Sequence, residues 1–167
     1  VDMNQNTRMM MGINSFDFSW ELAPRECFYS PEVIMIYSSK GLGEMSRKYH
    51  RLYRECLMIS HFAKRLRPIL INNWEATYFD FNQEKLLSLA KQASKLGIEL
   101  FVLDDGWFAK RNDDTSSLGD WYVNERKIGG PLDKLVKQIN ALKMKFGLWL
   151  EPEMVNPNSD LYKKHPD

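Results

Sequence analysis

The chain has 167 residues, of which 44% are hydrophobic and 13% aromatic, and its formal net charge at pH 7 is +1. This length is enough for one full hydrophobic core or for parts of two domains. The charge argues against a nucleic-acid or membrane-surface partner, and no apolar run approaches the ~18 residues of a membrane-spanning helix. Two cysteines, Cys27 and Cys56, lack metal-ligand spacing, which favours a reduced, cytoplasmic protein.

The first 40 residues have the pattern of β-strands. Aromatic side chains alternate along residues 16–20, as in a half-buried antiparallel strand, and residues 32–38 form a second candidate. Two strands alone do not make a stable sheet. We therefore interpret residues 1–40 as the last strands of a β domain.

A helix is predicted next, because apolar residues recur at helical spacing from Leu42 to Leu57. Its other face is basic and is expected to be solvated. We assign residues 41–67 to a helix that links two domains.

From Pro68 onward the pattern alternates between strand and helix. Apolar strands are predicted at residues 69–71, 98–103 and 146–150, separated by helices that begin near Asn82 and Pro131. This alternation predicts an α/β fold with a parallel sheet covered by helices.

Two closures of such a sheet are possible, a doubly wound sheet and a (β/α)₈ TIM barrel. Polar residues follow all three strands, which fits the mouth of a barrel slightly better. A barrel needs about 250 residues, so we assign residues 68–167 to the N-terminal part of a barrel, roughly three of its eight units.

Two carboxylates, Asp104 and Asp105, follow the second strand of this region directly. Neighbouring side chains on a strand point to opposite faces, so both can face one ligand only if the strand breaks, which Gly106 permits. Carboxylates suit the hydroxyls of a sugar or a hard metal ion such as Mg²⁺. The alternative is a solvated Asp-Gly turn.

Tryptophans accompany the acidic residues at the strand ends. Trp74, Trp107 and Trp149 lie at or just beyond strand ends, and an aromatic face next to carboxylates is what a sugar site needs. Each tryptophan alone could equally be a core residue. Glu151 and Glu153 could act as acid and base or hold a loop, and the charged run 110–114 is expected to be a solvated loop.

Four segments together resemble glycoside hydrolase family 36. They are Asn73-Trp74-Glu75-Ala76, Phe101-Val102-Leu103-Asp104-Asp105-Gly106-Trp107-Phe108, Gly119-Asp120-Trp121 and Gly147-Leu148-Trp149-Leu150-Glu151-Pro152-Glu153-Met154-Val155. Gly12-Ile13-Asn14 and Leu22-Ala23-Pro24 resemble the end of the family's N-terminal β-supersandwich domain.

The resemblance implies a retaining α-galactosidase that releases terminal α-1,6-linked galactose from oligosaccharides such as melibiose and raffinose. It implies a (β/α)₈ barrel after a β-sandwich, and a possible homotetramer. By the same resemblance, Asp104 and Asp105 would bind galactose hydroxyls, and Trp149 and Trp74 would line the sugar pocket. Neither a metal nor an organic cofactor is expected.

The family's catalytic residues have no counterpart in the chain. Its nucleophile is an aspartate in a Lys-x-Asp-x-Asn motif after the fourth strand, and its acid/base is an aspartate after the sixth, whereas the sequence ends at Asp167. We therefore expect the 167 residues alone to be inactive. The alternative is a non-catalytic carbohydrate-binding protein on the same fold.

Overall fold

A computed structural model describes residues 3–166 of the chain. The chain divides into two compact units, Val1–Arg65 and Leu66–Asp167, and each unit is described by itself. Among the described residues, no helix has the length and apolar content needed to cross a bilayer.

Among residues 3–65 of the first unit, helical structure occurs only in the second half. Helix α1 spans Gly41–Leu52 and continues into a single π-helical turn, Tyr53–Leu57. The strands predicted at residues 16–20 and 32–38 are wrong for this structure, because no residue from 3 to 40 belongs to a strand. A strand exists only through hydrogen bonds to a neighbouring strand, and alternation in sequence does not supply that neighbour.

The helix predicted from the apolar spacing between Leu42 and Leu57 is confirmed, although helical structure ends at Leu57 and does not fill the segment 41–67. Met58 adopts an extended conformation while its N–H still bonds to the carbonyl of Tyr53 at 2.8 Å. The hydroxyl of Ser60 then accepts the N–H of Phe62, a local bond that competes with helix formation. The assignment of residues 1–40, 41–67 and 68–167 to domains stays a prediction.

The second unit is built on a parallel three-stranded sheet. Its strands are β1 (Leu70–Asn72), β2 (Leu100–Leu103) and β3 (Lys145–Leu148), in the order β1-β2-β3. Both strand pairs are parallel, so all three carboxyl ends lie at one edge. The predicted α/β fold with a parallel sheet is confirmed.

The described residues of this unit, 66–166, form five helices, of which two are long. Helices α3 (Gln83–Lys95) and α5 (Leu132–Ala141) cross between successive strands, as parallel pairing requires. The shorter ones are α2 (Trp74–Thr77), α4 (Glu125–Ile128) and α6 (Asp160–Lys164).

The alternation of β2 divides its side chains between two faces. Phe101 and Leu103 are fully buried in the main apolar cluster together with residues of α3 and α5. Leu100 and Val102 are only half-buried and, by alternation, lie on the opposite face. On that face a side chain at Gly147 would come within 3.2 Å of Val102.

The buried face of α3 is formed by Leu86, Ala90 and Ala93. Leu96 continues their helical spacing but is 82% exposed. It follows the last helical residue, and the chain then turns at Gly97, whose φ is +84°. The helical spacing of apolar residues continues to Leu96, but α3 ends at Lys95, so Leu96 does not lie on the buried face of the helix.

The long connection after β2, from Phe108 to Gly130, is an ordered segment. It contains α4 and a bridge between Phe108 and Val123. A backbone hydrogen bond joins the start of the segment to Asn124, whose N–H donates to the Trp107 carbonyl at 2.9 Å. Six side chains of this segment are buried: Phe108, Ala109, Arg111, Ser117, Asp120 and Ile128.

The N-terminus of α3 yields a testable prediction. The Asn82 side chain accepts the Lys85 N–H at 2.9 Å, and we expect Asn82→Ala to weaken this end by about 1 kcal/mol, or roughly fivefold faster local hydrogen exchange. The measurement is exchange of a peptide covering residues 83–95 by mass spectrometry. Asn82→Asp, which keeps the acceptor, should exchange like the parent, and equal protection in the alanine variant would contradict the prediction.

Candidate functional site

The candidate site lies where β2 ends, at the carboxyl edge of the sheet. The strand stops at Leu103, and Asp104 and Asp105 follow in a turn that Gly106 completes with a φ of +94°. Both carboxylates are nearly buried, with 8% and 6% of their surface exposed. The break in the strand therefore occurs at the two residues that the sequence singled out.

The backbone of Asp104 is hydrogen-bonded to a residue at the end of the neighbouring strand, β1. Its N–H donates to the Oδ1 of Asn73 at 2.9 Å, and Asn73 is fully buried just beyond β1. Its own Oδ1 accepts the Asp105 N–H at 2.8 Å. Its Oδ2 has no partner within residues 3–166, and no buried side-chain oxygen in that range lacks a hydrogen bond. Oδ2 is therefore open to solvent and can accept a bond from a ligand.

Asp105 forms a buried ion pair with Arg111. The Arg111 Nε lies 3.0 Å from Oδ1 and 3.2 Å from Oδ2, and Nη2 lies 2.8 Å from Oδ2. Arg111 is only 4% exposed, and its Nη1 donates to the Ser116 carbonyl at 3.0 Å. A carboxylate has about four acceptor positions, so the three contacts with Arg111 leave about one position of Asp105 unused.

The prediction that residues 110–114 form a solvated charged loop is thus wrong for Arg111. Residues 112–115 are exposed, but Arg111 turns inward because its planar fork matches the Asp105 carboxylate. In the sequence, the only sign of the ion pair is that Asp105 lies six residues before Arg111. Asn73 belongs to the motif Asn73-Trp74-Glu75-Ala76, but the motif does not reveal its hydrogen bond to the neighbouring strand end.

Gly106 allows the chain to pass closely over its neighbours. An added Cβ would lie 3.0 Å from the Phe79 ring and 3.3 Å from the Arg111 carbonyl oxygen. The positive φ is also unfavourable for any other residue. The turn therefore requires glycine both for its backbone conformation and for space.

Lys127 adds a second cation beside the turn. Its Nζ donates to the Arg111 carbonyl and to the Asn112 Oδ1, both at 3.4 Å, and lies 4.3 Å from the centre of the Phe81 ring. Burial lowers the pKa of Lys127, whereas the carboxylates of Asp105 and Asp80 act to raise it. Together Lys127 and Arg111 make the environment of Asp105 positive.

Trp74 is half-buried and directly follows Asn73 at the end of β1. Two rings meet it nearly at right angles, Tyr78 at 5.3 Å and Phe79 at 5.1 Å between centres. The Arg111 guanidinium lies 5.7 Å from the centre of the Phe79 ring. One aromatic contact therefore separates Trp74 from the ion pair that holds Asp105.

Trp149 follows β3 and is also half-buried. Its N–H bonds to the Leu103 carbonyl at 2.9 Å, and its carbonyl accepts the Trp107 Nε1–H at 3.0 Å. Its ring meets that of Trp121 at an angle of 65°, with 6.3 Å between centres. The backbone of Trp149 is thus tied to β2 one residue before Asp104.

The other acidic candidates are more exposed than Asp104 and Asp105. Glu151 is half-buried and Glu153 is exposed.

A metal at Asp104 and Asp105 would have to compete with Arg111 for the Asp105 oxygens, which disfavours the magnesium alternative. In the part of the chain that is described, no three Asp, Glu, His or Cys side chains are grouped to hold a metal ion.

A large groove exists elsewhere on this unit. It has a volume of about 670 Å³ and lies along α2 and along α3 as far as Gln92. Neither Asp104 nor Trp149 lines it. The chemistry that the sequence predicts is therefore at the sheet edge and not in this groove.

Comparison with known proteins places these residues in a family. The family model described as melibiase matches residues 27–167. The chain is 61% identical over 167 residues to the α-galactosidase AgaA of Geobacillus stearothermophilus, covering all of this chain and 23% of that protein. It is 51% identical over 166 residues to α-galactosidase 1 of Pediococcus pentosaceus, covering 99% of this chain and 23% of that protein.

Solved structures agree with this comparison. The family 36 α-galactosidase AgaB of G. stearothermophilus superposes with a TM-score of 0.83 at 65% identity, over 93% of this chain and 21% of that one. A variant of AgaA in complex with raffinose superposes with a TM-score of 0.84 at 62% identity, over 93% of this chain and 22% of that one. The chain spans about a fifth of the length of these relatives. By the extent and identity of these matches, the chain belongs to the melibiase family, glycoside hydrolase family 36.

Proposed function

We propose that the protein containing this chain is a retaining α-galactosidase that releases terminal α-1,6-linked galactose from raffinose-type oligosaccharides. The support is family membership together with relatives described as α-galactosidases, some of them in complex with raffinose or stachyose. The observation that carries the proposal is the nearly buried Asp104, whose Oδ2 is open at the edge of a sheet where tryptophans follow two strands.

In this proposal Asp104 is the primary acceptor for a galactose hydroxyl. Its carboxylate is fixed through Asn73 and the Asp105 N–H, so little conformational freedom is lost when the sugar binds. Asp105 contributes its one remaining acceptor position. Trp74 and Trp149 offer indole faces to the apolar C–H surface of the sugar.

The same proposal extends to the fold and to the reacting groups. The parallel sheet would be part of a (β/α)₈ barrel, and residues 1–40 would belong to a preceding β-sandwich domain. Retaining hydrolysis needs two carboxyl groups about 5 to 5.5 Å apart. We propose that neither is among these 167 residues, since Asp104 and Asp105 are used for binding. The two free, exposed cysteines favour a reducing, cytoplasmic setting.

The direct test is hydrolysis of nitrophenyl α-galactoside and raffinose by the protein as its gene encodes it. Release of nitrophenol and of galactose, with no turnover by the 167-residue chain alone, is the expected result. Sugar binding without turnover by the encoded protein would instead favour a carbohydrate-binding protein. Turnover by the isolated chain would contradict the proposed location of the reacting carboxyl groups.

Two substitutions test the proposed sugar contacts. Asp104→Asn keeps an oxygen for the Asp105 N–H but removes the charge, and we expect kcat/KM to fall about 10- to 100-fold, the value of a hydrogen bond to a charged group. Trp74→Ala should raise KM by a similar factor, about 10- to 100-fold, through loss of apolar contact. Steady-state kinetics with nitrophenyl α-galactoside provides both values.

Asp114→Asn is the matched control for the first substitution, because Asp114 is an exposed aspartate of the same loop. Its kcat/KM should equal that of the parent. If Asp104→Asn behaves like this control, Asp104 does not bind the sugar.

The ion pair yields a separate prediction. Arg111→Met leaves Asp105 buried without its partner and should reduce stability by about 3 to 5 kcal/mol, the cost of breaking a buried pair. Asp105→Asn combined with Arg111→Met removes the unpaired charge and should recover part of this loss. Thermal unfolding measured in parallel for both variants tests this, and equal stability of the single and double variants would count against the pairing.

A further inference from the structure

We infer that Asp120 is a positioning residue for the sugar-binding tryptophan Trp149, acting through a clasp formed by residues Gly119–Trp121. This clasp joins the loop after β2 to the segment after β3. The inference deepens the proposed function, on which it rests for the role of Trp149. The motif was recognised in the sequence, but no role followed from its pattern.

Asp120 holds the start of α6 with both carboxylate oxygens. Oδ2 accepts the Asp160 N–H at 2.9 Å, and Oδ1 accepts the Leu161 N–H at 3.0 Å. Asp120 is only 7% exposed. The first N–H groups of a helix have no partner within the helix, and here a residue 40 positions earlier in the chain supplies the acceptors.

Gly119 brings the two segments close enough for these bonds. A Cβ at this position would lie 3.1 Å from both the Leu161 Cδ2 and the Val155 Cγ2, and the φ of Gly119 is +109°. The backbone of the loop therefore rests directly on the segment after β3. A larger residue here would separate the two loops and strain the backbone.

Trp121 carries the effect of the clasp to Trp149. Its ring contacts two others, that of Phe108 with 4.5 Å between centres and that of Trp149 with 6.3 Å between centres. It also stacks on Trp107 at 6.3 Å with an interplanar angle of 28°. Because Trp121 is the next residue after Asp120, movement of the Asp120 backbone changes the surface against which the Trp149 ring packs.

Other bonds between the two segments support the clasp but do not replace it. The Asn156 N–H donates to the Leu118 carbonyl at 2.9 Å, and the Tyr122 hydroxyl donates to Asp160 at 3.3 Å. The Tyr122 side chain is 53% exposed, so its bond competes with water. Asp120 is the buried contact that accepts two backbone donors at once.

The clasp should affect binding more than the chemical step. An indole that packs on the sugar in both the ground state and the transition state contributes uniform binding, whose loss raises KM and leaves kcat unchanged. A purely stabilising role would have a different signature. It would lower the folded fraction, so that apparent kcat would fall while KM would stay constant.

The test uses Asp120→Ala and Asp120→Asn in the protein as its gene encodes it. We expect Asp120→Ala to raise the KM for nitrophenyl α-galactoside about tenfold, with kcat within about twofold of the parent. Asp120→Asn retains one acceptor oxygen and should show a smaller increase. If the alanine variant fails to fold, the asparagine variant still decides the question, because an unchanged KM there overturns the inference.

Ser159→Ala is the matched control. Ser159 is fully buried and caps the same helix through the Tyr162 N–H at 3.0 Å, but its side chain makes no bond to the loop after β2. Its KM should stay at the parental value. An equal rise in KM for Ser159→Ala would show that only the helix matters and would overturn the inference.

Near-ultraviolet circular dichroism separates this inference from the proposed function. Trp121 lies within coupling distance of both Trp107 and Trp149, so Asp120→Ala should change the aromatic signal without any sugar, and Ser159→Ala should not. An unchanged signal in Asp120→Ala would overturn the clasp even in an active enzyme. A parent protein that hydrolyses no galactoside would refute the proposed function, while the spectral change would still support the clasp.

Discussion

The buried ion pair between Asp105 and Arg111 is the interaction around which the edge of the sheet is arranged. A carboxylate that is almost fully buried needs a partner of opposite charge, and Arg111 supplies three short contacts to it. To reach Asp105, the loop after β2 must fold back over the strand end. The ion pair therefore fixes the direction of the loop, the close passage at Gly106 and the position of the Phe79 ring beside Arg111.

Asp104 and Asp105 are buried to a similar degree but have different partners. The alternation of β2 sends Phe101 and Leu103 into the core, and after the strand the two carboxylates have different roles. Asp105 is paired with Arg111, and Asp104 is anchored through Asn73 and the Asp105 N–H. The difference between the two carboxylates thus comes from their partners and not from residue type.

The aromatic residues connect this edge from one side to the other. Trp74 meets Phe79, which meets Arg111, and on the opposite side Trp107, Trp121 and Trp149 form a continuous series of ring contacts. Edge-on contacts limit rotation of an indole ring. The two tryptophans proposed to contact sugar are therefore held in place by neighbours that would not touch it.

The sequence by itself determined the parallel α/β fold, the strand break at Asp104 and Asp105, and the family, because apolar periodicity and ordered motifs are local properties. Tertiary structure decided that Arg111 is buried, that Asn73 bridges two strands and that Asp120 caps a helix 40 residues away. Each of these depends on a partner distant in the chain, which no local pattern specifies. For the same reason the strands expected before residue 40 could not follow from alternation alone, since a strand is defined by the neighbour to which it bonds.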